Sequence, residues 1–294
     1  MGKVQVQPID SLHSNTKLSA PCAPFLPIFA SMSSPLLYAF EPNRPAAVNM
    51  DRDESMALAC SRDQMPRLRL YSWAPWSISL GHHQRVEEID LDAVAARGYH
   101  IVRRPTGGRA VLHAEELTYA VAMSSNGEGI QMTYARISEA IRSGLEMLGA
   151  TGITFERSQP DFRAHYELDE AANCFSASAL NELLWQGRKL VGSAQRRYDD
   201  ILLQHGSILL DTAHLDIVHL LASAGDETRR ERMSKLLAAR TATVREVLNG
   251  ELPSLATVAC SVRDGFARTL SLEIFEVEDI VAEHTINAIH TSIE

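Results

Sequence analysis

Two short stretches hold most of the residues in this chain whose types and spacing could do chemistry. RRPTGGRAVLH (Arg103–His113) runs two arginines into a Pro-Thr-Gly-Gly turn, then a third arginine, a short apolar run and a histidine. Thr106, Gly107 and Gly108 would let backbone approach a ligand closely and offer N–H groups to an anion. Arg103, Arg104 and Arg109 would suit a phosphate or carboxylate beside it. The plainer alternative is a hairpin turn with solvated arginines, and His113 taken alone reads as structural. The turn lacks the GxxxxGK[ST] pattern of a P-loop.

GRKLVGSAQRR (Gly187–Arg197) places Lys189 at the start of an apolar strand, followed by the small residues Gly192, Ser193 and Ala194. A lysine at a strand edge is usually solvated, but small residues after it leave room for a ligand against the backbone. ILLQHGSILLD (Ile201–Asp211) sets Gln204, His205, Gly206 and Ser207 inside a strand that should be buried. Buried polar groups need partners, so these too are site candidates. Cys174 lies between the two stretches, after a polar and charged run (His165–Asn173) that reads as an accessible loop, whereas Cys60 and Cys260 sit in helical patterns typical of inert core thiols.

The elements that must position these residues follow from periodicity. Asn49–Cys60 reads as a helix with Asn49 as N-cap and Asp51, Asp53 and Glu54 at the positive end of the dipole. Arg67–Trp73, Ser77–Gly81, His100–Arg104, Arg109–Ala114 and Leu117–Ser124 read as strands. Thr133–Gly149 carries Ile137, Ile141, Leu145 and Leu148 at helical spacing. Leu180–Gln186 and Lys189–Arg197 flank a Gly-Arg turn, and Ile201–Asp211 is a strand expected to kink or bulge at Gly206. Helical patterns over Leu215–Ala222, Glu231–Ala239, Thr243–Leu248, Ser254–Thr269 and Val277–Ile293 follow. This order predicts an α+β fold, with a mixed or antiparallel β-sheet covered by helices.

Composition narrows the class. The 294 residues are 45% hydrophobic and 22% charged, ordinary for a globular chain. A formal charge of −9 argues against a general nucleic-acid or anionic-membrane binder. The four cysteines are widely spaced, without a metal-ligand pattern, which fits free thiols in a reducing, cytoplasmic setting. No run of about 18 apolar residues is present, so no membrane span is expected. Ala20–Phe40 is interrupted by prolines at 21, 24, 27 and 35 and reads as a loosely attached extension. The expected organisation is a flexible extension over 1–37 and a single domain over 38–294. A monomer is expected.

With three motifs in this order, the chain resembles the lipoate-protein ligase A and octanoyltransferase family, whose fold is shared with biotin-protein ligases. RRPTGGRAVLHAEELTY, GRKLVGSAQRR and LQHGSILL carry the likeness, and NMDRDE (Asn49–Glu54) matches its opening helix. It extends from about Pro45 to about Asp211. Asn173-Cys174-Phe175, fifteen positions before Lys189, is similar to the cysteine segment of members that transfer octanoyl from acyl carrier protein. The helical segment after Asp211 leaves little room for the accessory domain many ligases carry.

The resemblance implies an acyltransferase in lipoate biosynthesis. Octanoyl-acyl carrier protein would be the donor, and a lysine of a lipoyl domain or the glycine-cleavage H protein the acceptor, with no cofactor required. Cys174 would be the acyl-thioester nucleophile, and Lys189 the cation that lowers its pKa and orients the acyl carbonyl. Arg104, Thr106, Gly107, Gly108, Arg109, Ala110, Val111, His113, Gly192, Ser193, His205 and Gly206 would bind substrate. Burying about seven carbons of the chain is worth very roughly 5 kcal/mol, and Ala110, Val111 and Leu112 are candidates to line that slot. An ATP- and Mg-dependent lipoate or octanoate ligase is the alternative, a relay enzyme moving acyl groups between lipoyl proteins ranks third, and a non-enzymatic binding scaffold last. SASALNE (Ser176–Glu182) departs from the Pro-Ser-aromatic pattern of the transferases, which bears on acyl and carrier selectivity.

Overall fold

The computed structural model describes residues 35–125, 127–156, 181–222 and 225–283. Eleven strands and six α-helices alternate along them in the order β1 (Pro35–Arg44), α1 (Ala46–Asp63), β2 (Arg67–Trp73), β3 (Ser77–Leu80), α2 (Leu91–Ala96), β4 (His100–Arg103), β5 (Val111–His113), β6 (Glu116–Ser124), α3 (Ile130–Met147), β7 (Ile153–Phe155), β8 (Leu183–Trp185), β9 (Arg188–Tyr198), β10 (Ile201–Leu209), α4 (Glu227–Arg240), α5 (Val244–Val247), α6 (Leu255–Leu270) and β11 (Glu273–Glu276). A 3₁₀ helix, Thr212–His219, precedes α4.

The larger sheet has the order β11-β1-β2-β6-β10-β9-β8-β7. β1 runs parallel to both neighbours, and the other pairs are antiparallel. A second sheet, β4-β3-β5, combines a parallel and an antiparallel pair. The predicted α+β class is therefore what the chain adopts.

Three apolar clusters hold the layers together. On one face of the large sheet, Leu68, Leu70, Leu117, Val121 and Val191 pack against Ile137 and Ile141 of α3 and Val258, Val262 and Phe266 of α6. On the other, Leu37, Tyr71, Ala120 and Leu203 pack against Met56, Ala57 and Cys60 of α1. The small sheet places Ile78, Leu80, Ala110 and Leu112 against Ile217 of the 3₁₀ helix and Leu237 of α4. Within the described residues, no helix is long and apolar enough to cross a membrane.

Several expectations need correction. Pro35, Leu36 and Leu37 belong to β1, so the strand begins inside the segment assigned to the extension. Pro35 is tolerated there as the first residue of a strand. Helix α1 starts at Ala46 after Pro45, and Asn49 lies inside it, fully buried, instead of capping it. No kink or bulge occurs at Gly206: β10 keeps unbroken register with β6 and β9 from Ile201 to Ile208. Residues Glu273–Glu276 form a strand beside β1; the helix expected from Val277 is not present in 277–283, and the rest of that segment lies outside the described residues. Cys60 is free and buried, but Cys260 is disulfide-bonded, so the expectation of free thiols throughout fails at that position.

Candidate active site

Side chains alternate across a strand, so Lys189, Val191, Ser193 and Gln195 of β9 share the sheet face that carries α3. Register places Ser193 opposite Gly206, and Gly206 opposite Tyr119. These positions form one polar strip in an otherwise apolar face. Lys189 is buried, with Nζ 2.8 Å from Oε1 of Glu182, which is 2% exposed and directly precedes β8. The Ser193 N–H reaches the same carboxylate oxygen at 3.4 Å. Buried cations persist only when paired, and Glu182 supplies that pairing.

Beyond the pair, Tyr119 Oη donates to Ser193 Oγ at 2.7 Å, Gln204 Nε2 donates to Tyr119 Oη at 2.7 Å, and Gln195 Nε2 donates to Gln204 Oε1 at 2.6 Å. Gly206 makes this chain possible. A Cβ there would lie 2.3 Å from the Gly192 carbonyl oxygen, 2.8 Å from Tyr119 Cε1 and 2.9 Å from Ser193 Oγ. The strand stays regular because the missing side chain is the space through which Tyr119 reaches Ser193.

On the opposite face, the Gly-Gly turn is tied to the sheet by a second buried chain. Thr106 Oγ1 lies 2.7 Å from His205 Nε2, and His205 Nδ1 lies 2.9 Å from Asp53 Oδ2. Asp53 also accepts from Tyr71 Oη at 2.8 Å and from Arg69 Nη1 at 2.9 Å. The carboxylate accepts from Nδ1–H, which leaves Nε2 to accept the Thr106 hydroxyl proton. Arg196 Nη1 adds a bond to the Pro105 carbonyl at 3.0 Å.

The arginines around the turn are engaged by the protein. Arg104 Nη1 donates to the Ser79 carbonyl at 2.8 Å, and its Nη2 to the carbonyls of Gly107 (2.9 Å) and Arg109 (2.7 Å). Arg103 Nη1 holds the carbonyls of Gly81 and Gln84, each at 2.7 Å. Arg109 pairs with Glu88 at 3.1 Å. Their geometry is that of clamps shaping the turn.

His113 sits in a buried network with Nε2 2.7 Å from Ser79 Oγ and Nδ1 2.8 Å from Glu116 Oε1, its ring stacked on Trp73 at 4.0 Å. Ala110 and Leu112 face the cluster under the small sheet and Val111 packs at its margin, so their side chains belong to a different layer from Lys189.

Of the residues singled out in the sequence, Lys189, Ser193, Gly192 and Gly206 meet on β9 and β10, while Thr106, Gly107, Gly108 and His205 meet behind them. Cys174 falls in 157–180, outside the described residues. Cys60 is no competing nucleophile, because burial pushes its thiol to about 11 against the opposing pull of Arg67. Glu182, Tyr119, Tyr134 and Gln195 were not singled out as site residues on one face, nor Asp53 and Arg69 on the other, whereas Gln204 was. Tyr134 stands three positions before Ile137 on the periodic stripe of α3, and Tyr119 alternates with Leu117 and Val121, so their inward direction was readable.

The mixed sheet that carries the buried lysine and the Gly-Gly turn latched behind it has the fold of solved lipoate-protein ligases. The bi-partite lipoate protein ligase from Thermoplasma acidophilum shares the architecture, with a TM-score of 0.64 at 23% identity over 90% of this chain and 92% of that one. The family model for the lipoyl protein ligase A/B catalytic domain matches residues 45–267, and the chain belongs to that family. Among curated relatives, octanoyltransferase LipM of Kyrpidia tusciae is 38% identical over 244 residues, covering 81% of this chain and 88% of its own. Octanoyltransferase LipM of Symbiobacterium thermophilum is 38% identical over 236 residues, with 79% and 85% covered.

Proposed function

We propose that this protein is an octanoyltransferase that moves an octanoyl group from acyl carrier protein, through a thioester on Cys174, to a lysine of a lipoyl domain or of the glycine-cleavage H protein. The observation that carries the reading is the buried pair at 2.8 Å between Lys189 of β9 and Glu182 just before β8, both following the segment that holds Cys174. Likeness to the LipM octanoyltransferases over four-fifths of the chain supports the substrate class.

An ordinary cysteine thiol with pKa about 8.5 is only roughly 3% thiolate at pH 7. An ammonium fixed beside it favours the anion, and Glu182 holds the Lys189 Nζ in place at 2.8 Å. The thiolate attacks the donor thioester carbon, the C=O electrons move to oxygen, and collapse expels the carrier thiolate, which takes up a proton. The neutral amine of the acceptor lysine then attacks the enzyme thioester. Its collapse releases the Cys174 thiolate, and the nitrogen loses a proton to form the amide. Thioester to amide is downhill, so the sequence needs no ATP.

Intact mass spectrometry tests this directly. Reduced enzyme mixed with octanoyl-acyl carrier protein, without ATP, gains one octanoyl group, and Cys174→Ala gains none. Addition of a lipoyl domain then discharges the adduct onto the acceptor. Formation of octanoyl-adenylate from free octanoate and ATP, undiminished by Cys174→Ala and with no thioester adduct, would overturn the proposal in favour of a ligase.

A further inference from the structure

Among the described helices, α4 is the most basic, in a chain whose formal charge is −9. Its 14 residues carry Arg229, Arg230, Arg232, Lys235 and Arg240 against Glu227 and Glu231. Met233 and Leu237 pack into the cluster under the small sheet. That packing turns Arg229, Arg232, Lys235 and Arg240 outward, and all four are exposed. Among the described residues α4 makes a single ion pair, between Arg230 and Glu227 at 3.6 Å, so those four cations stay unmatched. On α3, by contrast, Arg136 and Arg142 are each met by a glutamate. Like charges one turn apart repel on a helix, so a face built this way costs the free protein stability. The helix also ends at the site. Thr241, the residue after it, forms a parallel bridge with Lys189, and the Ala242 N–H donates to the Lys189 carbonyl at 2.9 Å. Arg188 Nη1 holds the Thr241 carbonyl at 3.1 Å. From that anchored end the cations run back along a helix about 20 Å long.

We propose that the outer face of α4 is the docking surface for the acidic protein that delivers the acyl group. The inference rests on the transferase reading above, in which that protein is the acyl carrier. Unmatched positive charge on an otherwise acidic chain selects a negatively charged partner and directs it to one place. The donor thioester rides on a long, flexible, phosphate-bearing arm, so its carrier can sit beside the site and reach Lys189 from along the helix. An acceptor lysine has only its own side chain to span the gap, so the acceptor domain must sit over the mouth itself. The spread of cations away from Lys189 therefore fits the donor. Exposed charges of this kind speed encounter and set its salt dependence.

The triple variant Arg229→Gln/Arg232→Gln/Lys235→Gln tests this, because it removes three exposed charges and nearly preserves helix propensity. Binding of fluorescently labelled carrier protein without an acyl group, read by anisotropy at low ionic strength, should weaken about tenfold. The difference from the unaltered enzyme should shrink as added salt screens the charges. KM for octanoyl-acyl carrier protein should rise in step, while KM for the lipoyl domain stays within about twofold. The thermal midpoint should hold or rise, because repulsion is relieved and no ion pair is lost. Arg136→Gln/Arg142→Gln on α3 controls for net charge and should leave carrier binding as it was. Undiminished carrier binding by the triple variant, an equal loss in the α3 control, a loss confined to the lipoyl domain, or weakening accompanied by a lower midpoint overturns the inference. The transferase reading survives each of these as long as the unaltered enzyme takes up the octanoyl group from its carrier. Failure of that uptake overturns both.

Discussion

Arg69 offers the sharpest test of how this fold holds its site. The residue is fully buried on β2. Its guanidinium donates to Glu41 Oε2 at 2.7 Å, Asp53 Oδ1 at 2.9 Å, Asn49 Oδ1 at 2.5 Å and the Asn49 carbonyl at 3.2 Å. It also lies over the Tyr71 ring, 3.9 Å from the centroid. Arg69→Met keeps the length and much of the volume but removes the charge. Glu41 retains Arg52 at 2.6 Å, whereas Asp53 keeps only the hydrogen bonds to Tyr71 Oη and His205 Nδ1. Breaking one side of a buried ion pair costs about 3–5 kcal/mol. For a domain of this size that corresponds to a fall in Tm of roughly 6–20 °C. Urea denaturation at pH 7.5 should show that loss for Arg69→Met. Adding Asp53→Asn should return part of it, with a coupling of about 1–3 kcal/mol between the sites. A loss below about 1 kcal/mol, or strictly additive single effects, would refute the view that Asp53 is a carboxylate held by Arg69, and with it the tautomer assigned to His205.

Two further expectations concern packing and pH. At the α3–α6 crossing, a Cβ on Gly265 would sit 2.4 Å from the Ala140 carbonyl oxygen and one on Gly144 would sit 2.6 Å from that of Ser261. Gly265→Ala should therefore destabilise by about 1–3 kcal/mol despite alanine's better helix propensity, and an unchanged denaturation midpoint would show that the helices can separate freely. His214 is held below the usual histidine pKa by burial, with the Asp211 carbonyl opposing. The unfolded chain consequently binds the proton more readily, so stability is full above pH about 6.5 and falls as acid carries pH down through the folded-state value. His214→Gln should flatten thermal stability between pH 7.5 and 5, and parallel pH profiles for the two proteins would exclude this group as the cause.

Much of the architecture was legible because hydrophobic period reports local geometry. Arg67–Trp73, Ser77–Leu80, His100–Arg103 and Leu255–Leu270 fall within a residue or two of their sequence boundaries. Elements that depend on distant partners were harder. The four residues of β11 have no strand pattern of their own and are ordered by the β1 edge. The same limit governed the site. Asp51, Asp53 and Glu54 look alike as acids early in a helix, yet only the placement of Arg69 and His205 distinguishes Asp53, buried at 0% exposure. Arg67 and Arg69 look like the solvent side of an alternating strand and are instead buried on both sides, where they meet carboxylates and backbone carbonyls from elsewhere. Gly206 carries a bulge signal in sequence; three strands in register and one tyrosine ring explain the residue without one. The motif residues were visible, but the groups that position them come from other parts of the chain.

The pairing of β1 with β11 sets an order of assembly. β1 is among the earliest described segments to leave the ribosome, and β11 is the last described strand. Until β11 arrives, β1 presents a bare parallel edge, and Arg67 lacks the carbonyls of Ile280 and Ala282 that complete its guanidinium shell. At typical synthesis rates of about 5–20 residues per second, that wait lasts on the order of ten seconds or more. The nascent chain consequently needs its exposed edge shielded for most of translation, and a premature stop before Glu273 would leave a permanent docking strip for aggregation.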